Sequence, residues 1–401
     1  MKLHFSPSVH LKGSIALPAS KSISNRVLII NALCEKQSAI KNLAVCDDTT
    51  VLLDALTLKS STIDIGAAGT AMRFLTAFFA IKPGIWTITG SKRMKNRPIK
   101  ILVDALRQLG ANITYLEKEG FPPLQIVGNT LKGGQITLDG SISSQYISAL
   151  MMIAPKLEKG LTITLTNTVI SKPYIRMTQQ IMADFGVKTT FSNQTIEISP
   201  QTYKSVPFHV ESDWSAASYW YELLTIHGRG KLQLPGLKQE STQGDSKLIE
   251  LFQHFGVTTK FIDELAEIEI KLKKSKHFEY DFSDEPDIVQ TLAVTCCMTQ
   301  TPFRFTGLAS LKIKETDRVA ALITELGKCG FELTEPAENE LAWNGIVKPT
   351  EQNISISTYD DHRMAMAFAP ISLKLPIKIE HPEVVSKSYP NFWEELLRFD
   401  N

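Results

Sequence analysis

The sequence contains no uncharged apolar stretch of about 18 residues, so no membrane-spanning helix is expected from it. Its opening residues, MKLHFSPSVHLKGSIALP, lack the apolar core and small-residue cleavage site of a signal peptide, and the protein is expected in the cytoplasm. Cysteine is sparse. Cys34, Cys46, Cys296, Cys297 and Cys329 are odd in number and form no CxxC or Cys/His ligand spacing, a pattern of reduced thiols rather than of disulfides or zinc. An excess of one charge is missing too: 43 basic against 42 acidic residues give a net charge of +1, which argues against a nucleic acid or membrane surface as main partner. Any cationic site must therefore be local. The signatures GxGxxG, GxxxxGKS/T and GxSxG are absent, which counts against a dinucleotide, a P-loop nucleotide and a serine nucleophile. His362 has no second His, Asp or Glu at ligand spacing, so no metal site is expected.

What the chain has instead is repetition. At 401 residues it exceeds one ordinary core, and two domains or a repeat-built body are expected. Six small, polar or charged clusters lead straight into apolar runs, at Lys21 to Arg26, Gly66 to Arg73, Ser143 to Gln145, Asp213 to Ser215, Asp287 to Gln290 and Asp361 to Met364. From Ala67 the later starts fall at Ser143, Asp213, Asp287 and Asp361, a period of about 70 to 76 residues. The runs ISALMMIAP, ASYWYELLTI, IVQTLAVTCCM and MAMAFAPISL are apolar all round, which predicts helices buried on every side. A second set shares the period: four segments with helically spaced apolar residues run to Gly110, Gly186, Gly256 and Gly330, and an alternating segment follows each. That is an amphipathic helix, a glycine cap and a strand. The class is therefore α/β, with HGRGKLQLPGLKQESTQGDS near the midpoint as the expected crossing between domains.

A buried helix must still satisfy its first N–H groups, and its N-terminus carries a partial positive charge, so several such ends suit multiply charged anions. Lys21 and Arg26 flank the first start, with Ser22 and Ser24 as capping hydroxyls. Taken alone, that string reads equally well as a capped helix with two solvated cations. GAAGTAMR alone is a plain glycine turn, the basic cluster ending at Arg97 a solvated loop, and Lys314 to Arg318 a charged helix start. Asp361-His362-Arg363 differs because it opens an all-apolar helix, where a charge needs a partner or a ligand. Asp287 and Glu315 stand out as acid–base candidates, and Lys387 adds a cation near the C-terminus.

In chain order, ASKSISNR, GAAGTAMR, the helix after KNRP, SISSQ, SKPYI, EPDIVQT, KETDR, DHRMAM and SKSYPNF resemble the motifs of the 5-enolpyruvylshikimate-3-phosphate synthase family over nearly the whole chain. The resemblance implies a two-lobed inside-out α/β barrel, each lobe three βαβαββ repeats whose buried helices aim their N-termini at the interdomain cleft. It places one lobe at 19–243 and the other at 1–18 plus 244–401. It implies transfer of enolpyruvyl from phosphoenolpyruvate to the 5-hydroxyl of shikimate 3-phosphate by addition and elimination, with release of phosphate, on the way to chorismate and the aromatic amino acids. A monomer is expected, with no cofactor, nucleic acid or membrane partner.

Carried over by position, the resemblance implies shikimate 3-phosphate contacts from Lys21, Ser22, Arg26, Ser143, Ser144, Gln145, Ser171, Asp287 and Lys314. It implies phosphoenolpyruvate contacts from Lys21, Gly69, Arg97, Gln145, Arg318, Arg363 and Lys387. Asp287 is then the proton acceptor for the hydroxyl and Glu315 the donor to the methylene carbon, with Lys21 steadying charge on the phosphate side. Two other readings stand beside this one: the sister enzyme that acts on UDP-N-acetylglucosamine, which lacks KSxSNR and KETDR and carries a reactive loop cysteine, and an idle relative that only binds anions. The chain departs from the family's usual GNAGTAMRP at Ala67 and Phe74, and Ser310 stands where many members have asparagine. Ala67 removes an amide expected near phosphoenolpyruvate. One hydrogen bond to a charged ligand is worth about 1.5 to 3 kcal/mol, so Ala67→Asn is expected to lower KM for phosphoenolpyruvate about tenfold or more in initial-rate measurements.

Overall fold

The computed structural model describes residues 1–5, 11–57, 60–271 and 275–399, so part of the opening segment read above lies outside the described residues. The chain divides into two units, one of Ala19–Val210 and one of Met1–Pro18 with Glu211–Asn401, each with its own hydrophobic core.

The 19–210 unit contains helices α1 (Lys21–Leu33), α2 (Asp47–Thr57), α3 (Gly69–Ile81), α4 (Lys100–Gln108), α5 (Ser144–Ile153) and α6 (Lys172–Asp184). Helices α1, α3 and α5 follow the polar clusters and are buried along nearly their whole length, as their apolar sequences require. Helices α4 and α6 bury one stripe each, Leu102, Val103, Ala105 and Leu106 in α4 and Ile175, Met177, Thr178, Ile181 and Met182 in α6. Two sheets repeat one topology. Thr62–Asp64 pairs parallel with Gly84–Thr89, which pairs antiparallel with Leu124–Gly128, which pairs antiparallel with Asn112–Tyr115. Gly134–Asp139, Leu161–Thr166, Thr195–Ile198 and Thr190–Ser192 follow the same plan. In chain order both read βαβαββ. The remaining repeat is abbreviated, its sheet reduced to the parallel pair Ile40–Lys41 and Phe208–His209.

The other unit contains α7 (Trp214–His227), α8 (Leu248–Gln253), α9 (Val289–Met298), α10 (Arg318–Lys328), α11 (His362–Phe368) and α12 (Phe392–Leu397). Here α7, α9 and α11 are the buried helices. Lys231–Pro235 lies between Lys12–Ser14, to which it is parallel, and Leu265–Ile270, to which it is antiparallel. Ser355–Ile356 pairs parallel with Ile377–Ile379, whose other edge takes Lys2–Leu3 antiparallel. Between these, Phe278–Asp281, Phe303–Thr306 and Leu341–Trp343 form a third sheet.

The boundary corrects the expected one. Residues 211–243, assigned from sequence to the 19–243 lobe, belong to the second unit, because Lys231–Pro235 is ladder-bonded on both edges there and α7 packs in its core. HGRGKLQLPGLKQESTQGDS is consequently no crossing segment; the chain changes units at Val210 and Glu211.

The glycine caps are formed as their positions predict. Gly110, Gly186, Gly256 and Gly330 have φ of 102, 79, 89 and 87°, the left-handed region where a side chain is strained. After three of them the next N–H reaches back to the carbonyl five residues earlier, Ala111 to Leu106 and Val187 to Met182 at 2.9 Å, Phe331 to Leu326 at 3.0 Å. A Cβ at Gly110 would meet nothing within 4 Å, whereas one at Gly330 would lie 2.3 Å from the Lys348 carbonyl oxygen. Gly110→Ala is therefore expected to cost only the left-handed strain, about 1 to 2 kcal/mol, and Gly330→Ala distinctly more, read as the fall in urea-unfolding midpoint.

Candidate active site

In the 19–210 unit the sequence-predicted residues sit at helix starts. Ser20 caps α1 by accepting from the Ile23 N–H at 3.4 Å, which leaves Lys21 and Ser22 in the first turn. Lys21 Nζ lies 3.3 Å from Oδ2 of the buried Asp48, on α2. Arg26, one turn further, is 2% exposed, and its guanidinium is held on three sides. Nε donates to Thr178 Oγ1 at 2.7 Å, Nη1 to the Ser22 carbonyl at 2.9 Å and Nη2 to Ser148 Oγ at 3.0 Å, with the Phe74 and Tyr174 rings 5.3 and 5.7 Å away. Burial pulls its pKa down to about 10, so it remains charged at neutral pH. Arg26 thus joins α1, α5 and α6.

Helix α3 starts at Gly69 without any side-chain cap, since Ala68 has nothing to offer. The Arg97 guanidinium rests against this start: a Cβ on Gly69 would come 2.5 Å from Nη1. Only glycine tolerates that approach. Arg73 holds the turn by donating to the carbonyls of Gly69 and Pro98 at 3.0 and 3.1 Å. At the start of α5, Ser143 accepts from the Gln145 N–H at 3.4 Å, Ser144 is buried, and Gln145 Nε2 donates to Thr70 Oγ1 of α3 at 3.1 Å. Gly69, Arg97, Ser143, Ser144 and Gln145 are thereby gathered around two adjoining helix starts. Ser171 precedes α6 in the left-handed conformation at φ 54°, a strained position for serine.

In the second unit the charged residues form one network. Arg318, 1% exposed at the start of α10, donates from Nε to Asp361 Oδ2 at 2.7 Å, from Nη1 to Asp287 Oδ1 at 3.3 Å and from Nη2 to Glu315 Oε2 at 3.2 Å. Burial works against its charge, but these three carboxylates outweigh it and hold the guanidinium above its ordinary range. Arg363 Nη2 lies 2.9 Å from the other Asp287 oxygen, and Lys387 Nζ lies 2.8 Å from Glu315 Oε1. Each acid–base candidate therefore touches two cations. Lys314 is half-buried in the segment that leads into α10.

Two members of these clusters escaped the sequence and two were read only in part. Asp361, with no exposed side chain, caps α11 through the Arg363 N–H at 2.9 Å as well as bonding Arg318; its place at a helix start was visible, its partner was not. Asp48 gave only the signal of an acidic residue in the first turn of a helix. Ser215 was visible only as the end of the polar cluster that opens α7, and Asp245 gave no signal, because an aspartate in a polar stretch looks ordinary. All five cysteines are free and buried, so none is a reactive loop thiol. Among the described residues no group of three or more His, Cys, Asp or Glu could hold a metal ion, and no helix is long and apolar enough to cross a membrane.

The sequence pattern of the family described as EPSP synthase (3-phosphoshikimate 1-carboxyvinyltransferase) matches residues 5–60 and 55–396. A 3-phosphoshikimate 1-carboxyvinyltransferase of Bacteroides fragilis is 51% identical over 402 residues, covering 99% of this chain and 97% of that one. One of Cellvibrio japonicus is 37% identical over 421 residues, covering 98% of each. A solved EPSP synthase of Acinetobacter baumannii superposes with a TM-score of 0.79 at 22% identity, covering 99% of this chain and 97% of that chain.

The network holds one carboxylate that is fully buried and another that is partly exposed. Asp361→Ala strands a buried guanidinium and uncaps α11, and is expected to lower the unfolding free energy by about 3 to 5 kcal/mol. Asp287→Ala, at a partly exposed partner of the same arginine, is expected to cost about 1 to 2 kcal/mol in the same chemical-denaturation experiment.

Proposed function

The chain belongs to the EPSP synthase family, and from that premise we infer how its residues carry the family's reaction. The protein is a transferase that moves the enolpyruvyl group of phosphoenolpyruvate to the 5-hydroxyl of shikimate 3-phosphate and releases phosphate, within the shikimate pathway to the aromatic amino acids. We assign shikimate 3-phosphate to Lys21, Ser22, Arg26, Ser143, Ser144, Gln145, Ser171, Asp287 and Lys314, and phosphoenolpyruvate to Lys21, Gly69, Arg97, Gln145, Arg318, Arg363 and Lys387. Guanidinium forks match carboxylate and phosphate oxygens in pairs, and lysines act as mobile point charges. The five free, buried cysteines suit a reducing compartment, and we place the enzyme in the cytoplasm.

One observation carries the acid–base assignment: the cations expected to receive phosphoenolpyruvate are those already bonded to Asp287 and Glu315. An arriving carboxylate or phosphate competes for Arg318, Arg363 and Lys387. As their hold relaxes, both side chains gain proton affinity, which a base and an acid each require. Asp287 then takes the proton of the 5-hydroxyl as its oxygen bonds to the enol carbon, and Glu315 gives a proton to the methylene carbon. In the second half phosphate departs with the electrons of its C–O bond and with a proton that replaces the one Asp287 gives up, a methyl proton returns to Glu315, and the double bond re-forms, so both acids end as they began. Lys21 offsets charge on the departing phosphate.

Phosphate release on mixing the two substrates measures the reaction directly; no release with shikimate 3-phosphate as acceptor would refute it. Asp287→Asn and Glu315→Gln are each expected to lower kcat by about two to four orders of magnitude with much smaller changes in KM. Near-normal turnover in either variant removes that residue from its role.

A further inference from the structure

Beyond the residues assigned so far, one buried acid stands beside the network without a place in the chemistry. The segment carrying it is pinned over the start of α7. Gln243, 5% exposed, accepts from the Trp214 N–H at 3.1 Å and donates to Glu211 Oε1 and to the Ser212 carbonyl at 2.7 and 2.9 Å. Two residues on, Asp245 is 4% exposed, and its Oδ2 accepts the Ser215 hydroxyl proton. The oxygen of that hydroxyl lies 3.5 Å from Arg363 Nη2, the same nitrogen that lies 2.9 Å from Asp287 Oδ2. Asp245, Ser215, Arg363 and Asp287 are therefore consecutive links of one chain.

Charge counting shows why the link matters. Through the contacts given above, the four carboxylates of Asp245, Asp287, Glu315 and Asp361 share the three cations Arg318, Arg363 and Lys387, and Asp213 adds a further negative charge near Asp245. A partly buried network cannot hold an uncompensated negative charge without cost, so one acid is favoured to keep its proton. Asp361 is bonded to Arg318 by two nitrogens, and Asp287 and Glu315 each touch two cations. Asp245 meets its nearest cation only through a hydroxyl. Burial, and then the Asp287 charge, push its pKa up to about 7, while Arg363 and the Ser215 hydrogen bond oppose the rise and Asp213 adds to it. Tyr219, which faces Arg363, is pushed up by burial and stays neutral.

We propose that Asp245 is a positioning residue for phosphoenolpyruvate: while it holds a proton, the charge of Arg363 is available to the incoming anion, and once it loses that proton, Arg363 is drawn onto two carboxylates and withheld. This rests on the reading that Arg363 meets phosphoenolpyruvate. It makes substrate affinity, rather than the chemical step, sensitive to pH in the neutral range, and gives a direction: KM for phosphoenolpyruvate rises with pH as Asp245 ionises.

The test measures KM for phosphoenolpyruvate and kcat across the neutral range at saturating shikimate 3-phosphate, with melting temperatures as a check on folding. Asp245→Asn fixes the neutral form. The parent-to-variant ratio of KM is expected to climb about tenfold from the acidic to the alkaline side of neutrality, while the ratio of kcat stays flat. Proton exchange on the substrate's own phosphate, and on His362, cancels in that ratio. Ser215→Ala removes a hydrogen bond that favours the Asp245 carboxylate, so the rise in KM is expected at higher pH than in the parent. Should Asp245→Asn fold poorly, this displacement carries the test, and an unmoved midpoint overturns the proposal. Arg363→Gln separates the premises. If it leaves KM unchanged, the phosphoenolpyruvate role of Arg363 is wrong and the proposal falls with it; if it raises KM while the Asp245→Asn ratio stays flat with pH, only the proposal is overturned.

Discussion

The second unit is organised by a single buried guanidinium. Arg318 is nearly sealed from water, and it bonds carboxylates from three places: Asp287 just ahead of α9, Glu315 ahead of its own helix and Asp361 at the cap of α11. Burying a charge of this kind costs several kcal/mol unless every donor direction is met, and here the fork's geometry dictates where three helix starts can lie. The requirement reaches outward, because Asp287 and Glu315 each hold a further cation and thereby fix Arg363 and Lys387. Asp287 and Glu315, the acid–base pair proposed above, are both held by one side chain.

The 19–210 unit solves the same problem with neutral partners. Arg26 is equally buried, yet hydroxyls and a carbonyl meet it instead of carboxylates, and its proton is held less tightly as a result. Repeats that share a plan have thus diverged in electrostatic character. One unit surrounds its helix starts mainly with donors, Arg26 among them meeting hydroxyls and a carbonyl, and the other combines its cations with acids. Gly69 belongs to the same logic, since the absence of a side chain lets Arg97 add its charge directly to a helix N-terminus.

Features encoded locally were legible in the sequence. A helix start needs a cap and an apolar run within a few residues, a helix end needs a glycine that accepts positive φ, and both signals recur at the repeat period; Asp213, Asp361 and the four glycines appear where those signals stand, whereas α1 is capped by Ser20 and not by Ser22 or Ser24 as expected, Ser24 turning to the Ala44 N–H. Features that depend on residues distant in sequence were not. Lys231–Pro235 carries glycine and polar neighbours that suggest a linker, and only its pairing with Lys12–Ser14, more than two hundred positions away, makes it a central strand. Asp245 follows from that same misreading: an aspartate in a presumed linker attracts no attention until the fold closes over it. Arg26 was recognised as cationic, but its hydroxyl partners Ser148 and Thr178 lie on two other helices, with nothing in the local pattern to announce them.

The pairing of Lys2–Leu3 and Lys12–Ser14 with strands of the 211–401 segment has a consequence for how the chain is made. Every ladder of the 19–210 unit closes within its own contiguous sequence, so that unit can complete itself while synthesis continues. Lys2–Leu3 and Lys12–Ser14 precede that unit in the chain and have no such option. Their partner at Lys231–Pro235 is made only after the whole 19–210 unit, and the other, at Ile377–Ile379, later still, which leaves two strand edges waiting for a template while that unit is synthesised. Both are two or three residues long and carry lysine, as suits segments that must wait in solution without recruiting a neighbour.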